Sequence, residues 1–573
     1  MCSNKTTATD LQNLMADISD PVRAAHCQRF FKTGPGEYGE GDLFRGVTVP
    51  ELRKLARRWK SVPFNEMLML LQSPYHEDRF VALCLLIHSF QHGHEDAVYC
   101  AYLDYLPFIN NWDLVDISCH KVLGPYLFIR PRTLLYSLAQ SRNVWERRIA
   151  MVTTYYFIKR DQLTDTLALA DLLSNDHEDL IHKACGWMLR EAGKRDESVL
   201  KAFLDDPSIV LPRTALRYAI ERLPAPVRKE YLKQHPKISP PNHMPRWRAY
   251  QHIMTATETL KGNVVFTPII ECEKLSELHN GTVYLKLENQ QHSGSFKYRG
   301  ALNKLQSLED LPHTVASTGN HGLATCMIAK DLHLDQTIYI PSTTDAYKVD
   351  KLKNHGADLI VHGKDATEAE QKAREIANQK GYAFISPYND WKIIAGQGTI
   401  GIELFEQTGP LDYVFVSVGG GGLISGLSLA LKAHMPNVIV IGCSPERSNV
   451  MQKSVEAGQI VEQPALSTLS DGTAGGIEED AITLPLCMDL IDDWETATED
   501  EIGRAMRLIY QQHHMKIEGA AAVAVACLMK YKKDLTGKII SVIICGGNIS
   551  DERFENVLSD EALSTANGLD RVN

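Results

Sequence analysis

Tyr413–His434 reads YVFVSVGGGGLISGLSLALKAH. Tyr413–Val418 is a short run of β-branched and aromatic residues. It runs into four consecutive glycines, Gly419–Gly422, and then into Leu423–His434, whose apolar residues recur at helical spacing. Strand, side-chain-free turn and helix together form the repeating unit of a parallel, doubly wound sheet. Bare backbone at a helix start also makes a nest of N–H groups suited to a phosphate. The spacing is not that of a dinucleotide loop, because G-x-G-x-x-G counted from Gly419 or Gly420 ends on Ile424 or Ser425. No Gly-Lys-Ser/Thr follows, so a Walker loop is absent.

The same texture extends to either side. Val283–Leu287, Thr337–Ile340, Asp358–Val361, Val438–Gly442 and Ile539–Ile544 are short β-branched runs separated by amphipathic stretches. Two further segments stand where a strand gives way to a helix. Ser293-Gly294-Ser295-Phe296-Lys297-Tyr298-Arg299-Gly300 places a lysine at a helix start, where the helix dipole disfavours positive charge. Taken alone it reads as a surface lysine. Ser317-Thr318-Gly319-Asn320-His321-Gly322 converges hydroxyls and amides where an anion would bind, and alone reads as an N-cap turn.

In this order the three segments resemble the fold-type II pyridoxal-phosphate enzymes, the threonine/serine dehydratase and serine racemase group. The resemblance runs from about Thr267-Pro268 to Ser550 and includes Glu288, Gly396-Gln397-Gly398-Thr399 and Cys545-Gly546-Gly547-Asn548. It implies pyridoxal 5'-phosphate as cofactor, bound covalently by Lys297. Phe296 and Asn320 would hold the ring, Asn320 at its phenolic oxygen, and Gly419, Gly420, Gly421 and Gly422 the phosphate. Ser317, Thr318, Gly319, Asn320 and His321 would bind the substrate carboxylate. Cys545 would stand as a neutral group beside the pyridine nitrogen, and the released Lys297 amine would act as general base.

Departures from the pattern bear on substrate. Thr318 stands where many dehydratases have alanine and serine racemase a serine acting on the opposite face of Cα. Ser444 and Val450 occupy the places of a divalent-cation site in racemase-like members, so no metal is expected. STGNHG and DGTAGGIEEDAIT (Asp471–Thr483) are most similar to the hydroxyectoine-utilisation dehydratase branch, which implies small β-hydroxy amino acids, 3-hydroxyaspartate among them.

Ahead of this region lies His235–Pro245, HPKISPPNHMP, whose prolines fix extended backbone and read as a semi-rigid linker over residues 235–247. The chain thus divides into residues 1–234, the linker, and residues 248–573. The first part carries helical periodicity in Leu52–Trp59, Phe80–Phe90, Val144–Phe157 and Leu180–Leu189, and no convincing strand. A basic residue stands shortly before an alanine at Ala82, Ala150, Ala184 and Ala219, which are 68, 34 and 35 residues apart. A period near 34 predicts helical repeats stacked into a solenoid, the alanine permitting close contact.

Two motifs of this solenoid pair an aromatic with a charge. Trp112 and Asp116 lie one turn apart, as do Trp187 and Arg190, and Arg148 follows Trp145. Composition alone favours core tryptophans and solvated arginines. FKTGPGEYGEGD (Phe31–Asp42), WDLVD (Trp112–Asp116) and KACGWMLRE (Lys183–Glu191), however, resemble the HEAT-like DNA alkylation repair glycosylase family over about residues 20–230. That resemblance implies a lesion cleft lined by Trp112, Asp116 and Trp187, with Arg148 and Arg190 on the DNA-facing surface. The indoles would attract a cationic alkylated purine, and Asp116 would stabilise the sugar cation formed on cleavage.

Composition agrees with an ordinary globular protein. The 573 residues are 44% hydrophobic and 23% charged, which excludes disordered, collagen-like and disulfide-scaffold chains. The longest apolar stretch, Gly519–Met529, falls short of the roughly 20 residues a bilayer span needs. The scattered twelve cysteines and the lack of a basic-then-apolar start suggest a cytoplasmic protein with reduced thiols. The net charge of −11 is uneven: residues 1–240 carry 31 Lys+Arg against 29 Asp+Glu, and the remainder 29 against 42.

The expected fold is therefore an all-α HEAT-like solenoid followed by an α/β fold-type II enzyme of two doubly wound subdomains. The expected function is a dehydratase (ammonia-lyase) converting serine, threonine or 3-hydroxyaspartate to a 2-oxo acid, without membrane association and as a homo-oligomer through its second half. Alkylated double-stranded DNA is the expected partner of the first half. The alternatives are an amino-acid racemase, a glycosylase as the main activity, or a first half that is a non-catalytic scaffold.

Overall fold

The computed structural model of the protein describes residues 6–233, 244–463 and 466–559. The chain forms two compact units, Met1–His243 and Met244–Asn573. Most of the expected linker, residues 235–243, lies outside the described residues. Arg246 and Trp247, placed in the linker by sequence, instead open a helix, Arg246–Leu260, which Pro245 precedes in extended conformation.

The described part of the first unit is helical and has no strand. Four helices carry the repeated alanine: His76–Phe90, Val144–Thr153, Asp179–Arg195 and Arg213–Ala219. Ala82, Ala150, Ala184 and Ala219 are all buried. Gly186 serves the same end, since a Cβ there would lie 2.4 Å from the Ala215 carbonyl on the next helix. The helix expected over Val144–Phe157 breaks after Thr153. The hydroxyls of Thr153 and Thr154 donate back to the carbonyls of Ile149 and Met151, at 2.6 and 2.7 Å, in competition with the helical ladder.

Arginine–aspartate pairs tie successive segments of the stack. Arg45 pairs with Asp78, Arg79 with Asp42, Arg132 with Asp165, Arg147 with Asp176 and Arg148 with Asp116. The partners are 29 to 37 residues apart in the chain, about one repeat.

The described residues of the second unit form ten strands: β1 (Ile269–Glu271), β2 (Thr282–Lys286), β3 (His313–Ala316), β4 (Gln336–Ile340), β5 (Asp358–Val361), β6 (Ala383–Phe384), β7 (Tyr413–Ser417), β8 (Ile439–Pro445), β9 (Asp493–Ala497) and β10 (Ile539–Ile543). They form a six-stranded sheet in the order β1-β2-β10-β7-β8-β9 and a four-stranded sheet in the order β5-β4-β3-β6. Every pairing is parallel except β1 with β2. The apolar run Gly519–Lys530 is a buried helix packed on β7 to β10, not a membrane segment. Among the described residues no helix is long and apolar enough to cross a membrane.

Candidate active site and candidate nucleic-acid face

In parallel sheets the chain leaves each strand on the same edge, and loops gather at the carboxyl ends. The loops after β2, β3, β6, β7 and β10 bring together Ser293–Lys297, Ser317–Asn320, Pro387–Tyr388, Gly419–Gly422 and Cys545–Asn548. The first and last of these are zipped to each other. Phe296 N donates to Cys545 O at 3.0 Å, Gly547 N donates to Gly294 O at 2.9 Å, and Ser295 bridges Gly546.

Lys297 opens the helix Lys297–Leu305, and its Nζ donates to Pro387 O at 2.9 Å. Burial holds its ammonium down to about 8, against the opposing pull of Cys545 and Glu518. Two residues on, Arg299 anchors the helix in the core. Its guanidinium is fully buried, forked onto Glu288 at 2.8 Å and bonded to Glu403 at 2.5 and 2.8 Å. Lys286 Nζ adds a bond to Glu403 at 2.7 Å. This four-charge cluster fixes the backbone that carries the lysine.

The glycine loop is a cradle in the literal sense. A Cβ on Gly420 would sit 2.3 Å from the Tyr388 ring, and Gly421 has φ +83°, so neither position accepts an ordinary side chain without strain. The loop opens the helix Gly422–His434, whose first N–H groups have no helical partner. Asn320 begins the helix Asn320–Asp331, its Nδ2 donating to Glu518 Oε1 at 2.8 Å and its Oδ1 accepting from Asn548 Nδ2 at 2.7 Å. A buried lysine amine poised near neutrality, a side-chain-free nest of amides and a fixed amide donor suit pyridoxal phosphate: an aldehyde, a phosphate and a phenolic oxygen. Burial pushes the Cys545 thiol well above its ordinary range, so it stays uncharged.

The expected carboxylate loop is only partly as read. Ser317 Oγ accepts from Gly319 N at 3.3 Å, within its own turn. The His321 ring is buried and bonded to Ile385 O at 3.1 Å. Burial, then Lys297, push that ring's protonation down to about 3. His321 therefore supports the loop with its side chain, and only its backbone N–H remains for a carboxylate. Thr318 is half-buried at the turn. Among the described residues no group of three or more His, Cys, Asp or Glu side chains could hold a metal ion.

The segment Asp471–Thr483, which follows β8, reaches residues of the small-sheet half and the glycine loop. Glu478 accepts from Ser386 Oγ at 2.8 Å and Asn389 Nδ2 at 2.9 Å and pairs with Arg374 at 2.6 Å. Asp471 pairs with Lys348 and Arg553. Thr483 Oγ1 donates to Gly420 O at 2.7 Å. Glu518, buried beside Asn320, carries no signal in the sequence. A single acid ahead of an alanine-rich run looks like an ordinary helix start, and nothing local marks it.

In the first unit, Trp112 follows its N-cap Asn111 and stacks on Phe31 at 5.4 Å and 20°. Trp187 lies against Tyr155, with ring centroids 5.9 Å apart. Asp116 accepts both forks of Arg148, at 2.9 and 2.8 Å, and Arg148 Nη1 donates to Leu180 O at 2.6 Å. Burial lifts the Asp116 carboxyl above its ordinary range against the pull of Arg148. Arg190 pairs with Glu191 at 3.2 Å and with Glu221. Both arginines expected to meet phosphates are thus paired with carboxylates of the solenoid, Arg148 with Asp116 and Arg190 with Glu191 and Glu221.

Comparison with known proteins accords with this geometry. Residues 260–546 match the family described as pyridoxal-phosphate dependent enzyme, and residues 11–223 match the DNA alkylation repair enzyme family. The L-threonine ammonia-lyase of Thermotoga maritima is 37% identical over 313 residues, 54% of this chain and 78% of that protein. The L-threo-3-hydroxyaspartate ammonia-lyase of a Pseudomonas species is 32% identical over 54% of this chain and 98% of that protein. Among solved structures, maize serine racemase aligns with TM-score 0.51 at 28% identity, covering 54% of this chain and 97% of its own. The processed threonine deaminase isoform 2 of Solanum lycopersicum aligns with TM-score 0.52 at 29% identity, covering 56% and 93%. The chain therefore belongs to the pyridoxal-phosphate dependent enzymes, as a fold-type II lyase of the threonine/serine dehydratase type preceded by a DNA-alkylation-repair-like domain.

Proposed function

We propose that the second unit is an ammonia-lyase that converts a small β-hydroxy amino acid (serine, threonine or 3-hydroxyaspartate) to a 2-oxo acid and ammonia. The observation that carries this reading is Lys297: a buried amine held down to about 8, beside the glycine nest and a fixed asparagine. Pyridoxal phosphate, when bound, supplies the electron sink that acidifies the amino acid's Cα proton. The Lys297 Nζ, freed on substrate entry, takes that proton; burial lowers the cost of its unprotonated form. The backbone N–H groups of Ser317–His321 hold the substrate carboxylate, and the segment Asp471–Thr483 braces the glycine loop through the Thr483 hydroxyl on Gly420 O. Loss of the β-hydroxyl as water leaves an enamine, whose hydrolysis consumes one water and releases the 2-oxo acid with ammonia. The neutral Cys545 thiol leaves the ring a weaker sink, which favours elimination over amino-group transfer.

The names of the relatives, threonine and 3-hydroxyaspartate ammonia-lyases, support this substrate class. The test is release of 2-oxo acid from L-serine, L-threonine and L-threo-3-hydroxyaspartate, with Lys297→Ala as control. No oxo acid from any of the three sinks the proposal. A racemase reading draws on the Thr318 hydroxyl. It requires D-serine to accumulate from L-serine and to disappear in Thr318→Ala.

For the first unit we propose contact with alkylated DNA through the face bearing Trp112, Asp116 and Trp187. An aromatic and a carboxylate one turn apart suit a cationic base and its departing sugar. Release of 7-methylguanine from alkylated DNA, lost in Asp116→Asn, tests it. If the wild type releases none, the unit is a scaffold.

A further inference from the structure

Asn320 has a complete local inventory, and it depends on a residue outside the loop. A side-chain amide offers two N–H donors and one oxygen. The Asn320 oxygen accepts from Asn548 Nδ2 at 2.7 Å, and one amide hydrogen goes to Glu518 Oε1 at 2.8 Å. One N–H remains. Asn548 is in turn held by Ser293 O at 2.8 Å and by Lys351 Nζ at 2.8 Å. Glu518 precedes the buried helix Gly519–Lys530 and donates its own backbone N–H to Gly546 O at 3.2 Å. A Cβ on Gly546 would strike Glu518 Oε1 at 2.3 Å, so the bare glycine leaves room for the carboxyl.

We propose that Glu518 is a positioning residue for the cofactor: by accepting one amide hydrogen of Asn320, it aims the other at the cofactor's phenolic oxygen. The inference rests on the assignment of Lys297 and Asn320 under Proposed function. An ionised carboxylate only accepts hydrogen bonds, so it forbids the flipped amide that would turn oxygen against oxygen.

Glu518 also makes the aim sensitive to pH. The charged and titratable groups facing it are Asp471 of the segment after β8, Lys348 and Lys351 of the helix Ala346–Asn354, Lys297, and Cys545 beyond β10. Burial, then Asp471, raise its carboxyl to about 7, with Asn320 and Lys348 opposing. Below that pH the carboxyl is neutral, and its hydrogen bond to Asn320 loses the strength an ionised acceptor gives.

The test is the visible absorption of the lysine-bound cofactor in the holoenzyme, titrated from pH 5.5 to 8.5. The wild-type band should change with a midpoint near 7. Glu518→Gln keeps the shape but cannot ionise, and should show at every pH the spectrum that wild type shows at acid pH. Glu518→Leu removes the acceptor and should raise the cofactor's dissociation constant roughly ten- to hundredfold. Glu518→Asp should restore the titration. Should Glu518→Leu fail to fold, the isosteric glutamine variant decides alone. A wild-type titration that survives unchanged in Glu518→Gln overturns this proposal and leaves the Lys297 assignment standing. A wild-type protein with no such band, indistinguishable from Lys297→Ala, overturns both.

Discussion

Arg299→Ala should be among the most damaging single substitutions in the second unit. Arg299 has no exposed side-chain area, and Glu288 has none either. Four of its hydrogen bonds, two to Glu288 and two to Glu403, are no longer than 2.8 Å. Removing the guanidinium leaves Glu288 with Thr267 Oγ1 at 2.6 Å as its remaining side-chain donor, in a site water does not reach. Breaking a buried pair from one side costs about 3–5 kcal/mol, since the orphaned charge remains desolvated. An exposed pair of the same unit such as Lys274–Glu277, 44% and 70% accessible, is worth about 0.2–0.5 kcal/mol. Lys274→Ala is therefore the near-silent control.

Denaturant unfolding of the holoprotein, followed through cofactor absorbance so that only the second unit is read, measures the difference. The pH response identifies the cause. In the wild type, burial pushes the Glu288 carboxyl up, but Arg299 and then Lys286 more than offset this and hold it below its ordinary value. Its contribution is thus present above the unfolded value, roughly 4.3, and is lost as pH falls through the depressed folded value. In Arg299→Ala the orphaned acid titrates above its unfolded value, so the deficit should shrink as pH falls from 7 toward 5. A deficit below about 1 kcal/mol, or one that does not change with pH, would refute the account of the cluster.

Other outcomes follow from the same geometry. His76 bonds to Asp113 at 2.9 Å and lies 3.4 Å from Asp42. Burial opposes its charge, but the two carboxylates outweigh burial and lift the imidazolium to about 9. Its folded value lies above the unfolded one, so its contribution, on the order of 3 kcal/mol, is full below pH 6.5 and lost as pH rises through 9. Unfolding of the first unit at pH 6 and pH 9.5 should show the loss in wild type and not in His76→Ala. Gly420→Ala must displace Tyr388 or the loop, at about 1–3 kcal/mol of overpacking, and should weaken cofactor binding by roughly 5- to 150-fold in equilibrium dialysis. Arg148→Ala leaves Asp116 buried without its fork and should destabilise the first unit by about 3 kcal/mol in the same unfolding assay.

The parts legible in the sequence were those in which one segment carries the whole signal. The strand Tyr413–Val418 followed by four glycines announces both a parallel sheet and an anion nest. The alanines from 82 to 219 announce their stacking by period alone. β3 is marked in the sequence only as the strand ahead of Ser317, and three further strands carry no signal for physical reasons. β1 and β6 have three and two residues, and β9, DWETA, is mostly half-exposed and has no apolar run. Pairings across distance were also illegible. That Arg148 spends its fork on Asp116 depends on two helices 32 residues apart meeting, and that Glu518 reaches Asn320 depends on a fold bridging 198 residues. The orientation of His321, turned onto Ile385, likewise depends on where β6 ends.

The arginine–carboxylate ties of the first unit have a consequence for how the solenoid keeps its order. Apolar repeat faces resemble one another, and a layer docked against the wrong neighbour would still bury much of its alanine-lined surface. Each guanidinium, however, meets its counter-charge only in the adjoining layer. A layer that skipped its neighbour would strand both an arginine and an aspartate away from water. The ties thus fix which faces meet at the joints that carry them. A one-residue deletion inside a helix such as Val144–Thr153, which turns Arg147 and Arg148 away from Asp176 and Asp116, should scramble the order of the stack, whereas an insertion in an exposed turn such as Gln91–His94 should leave it intact.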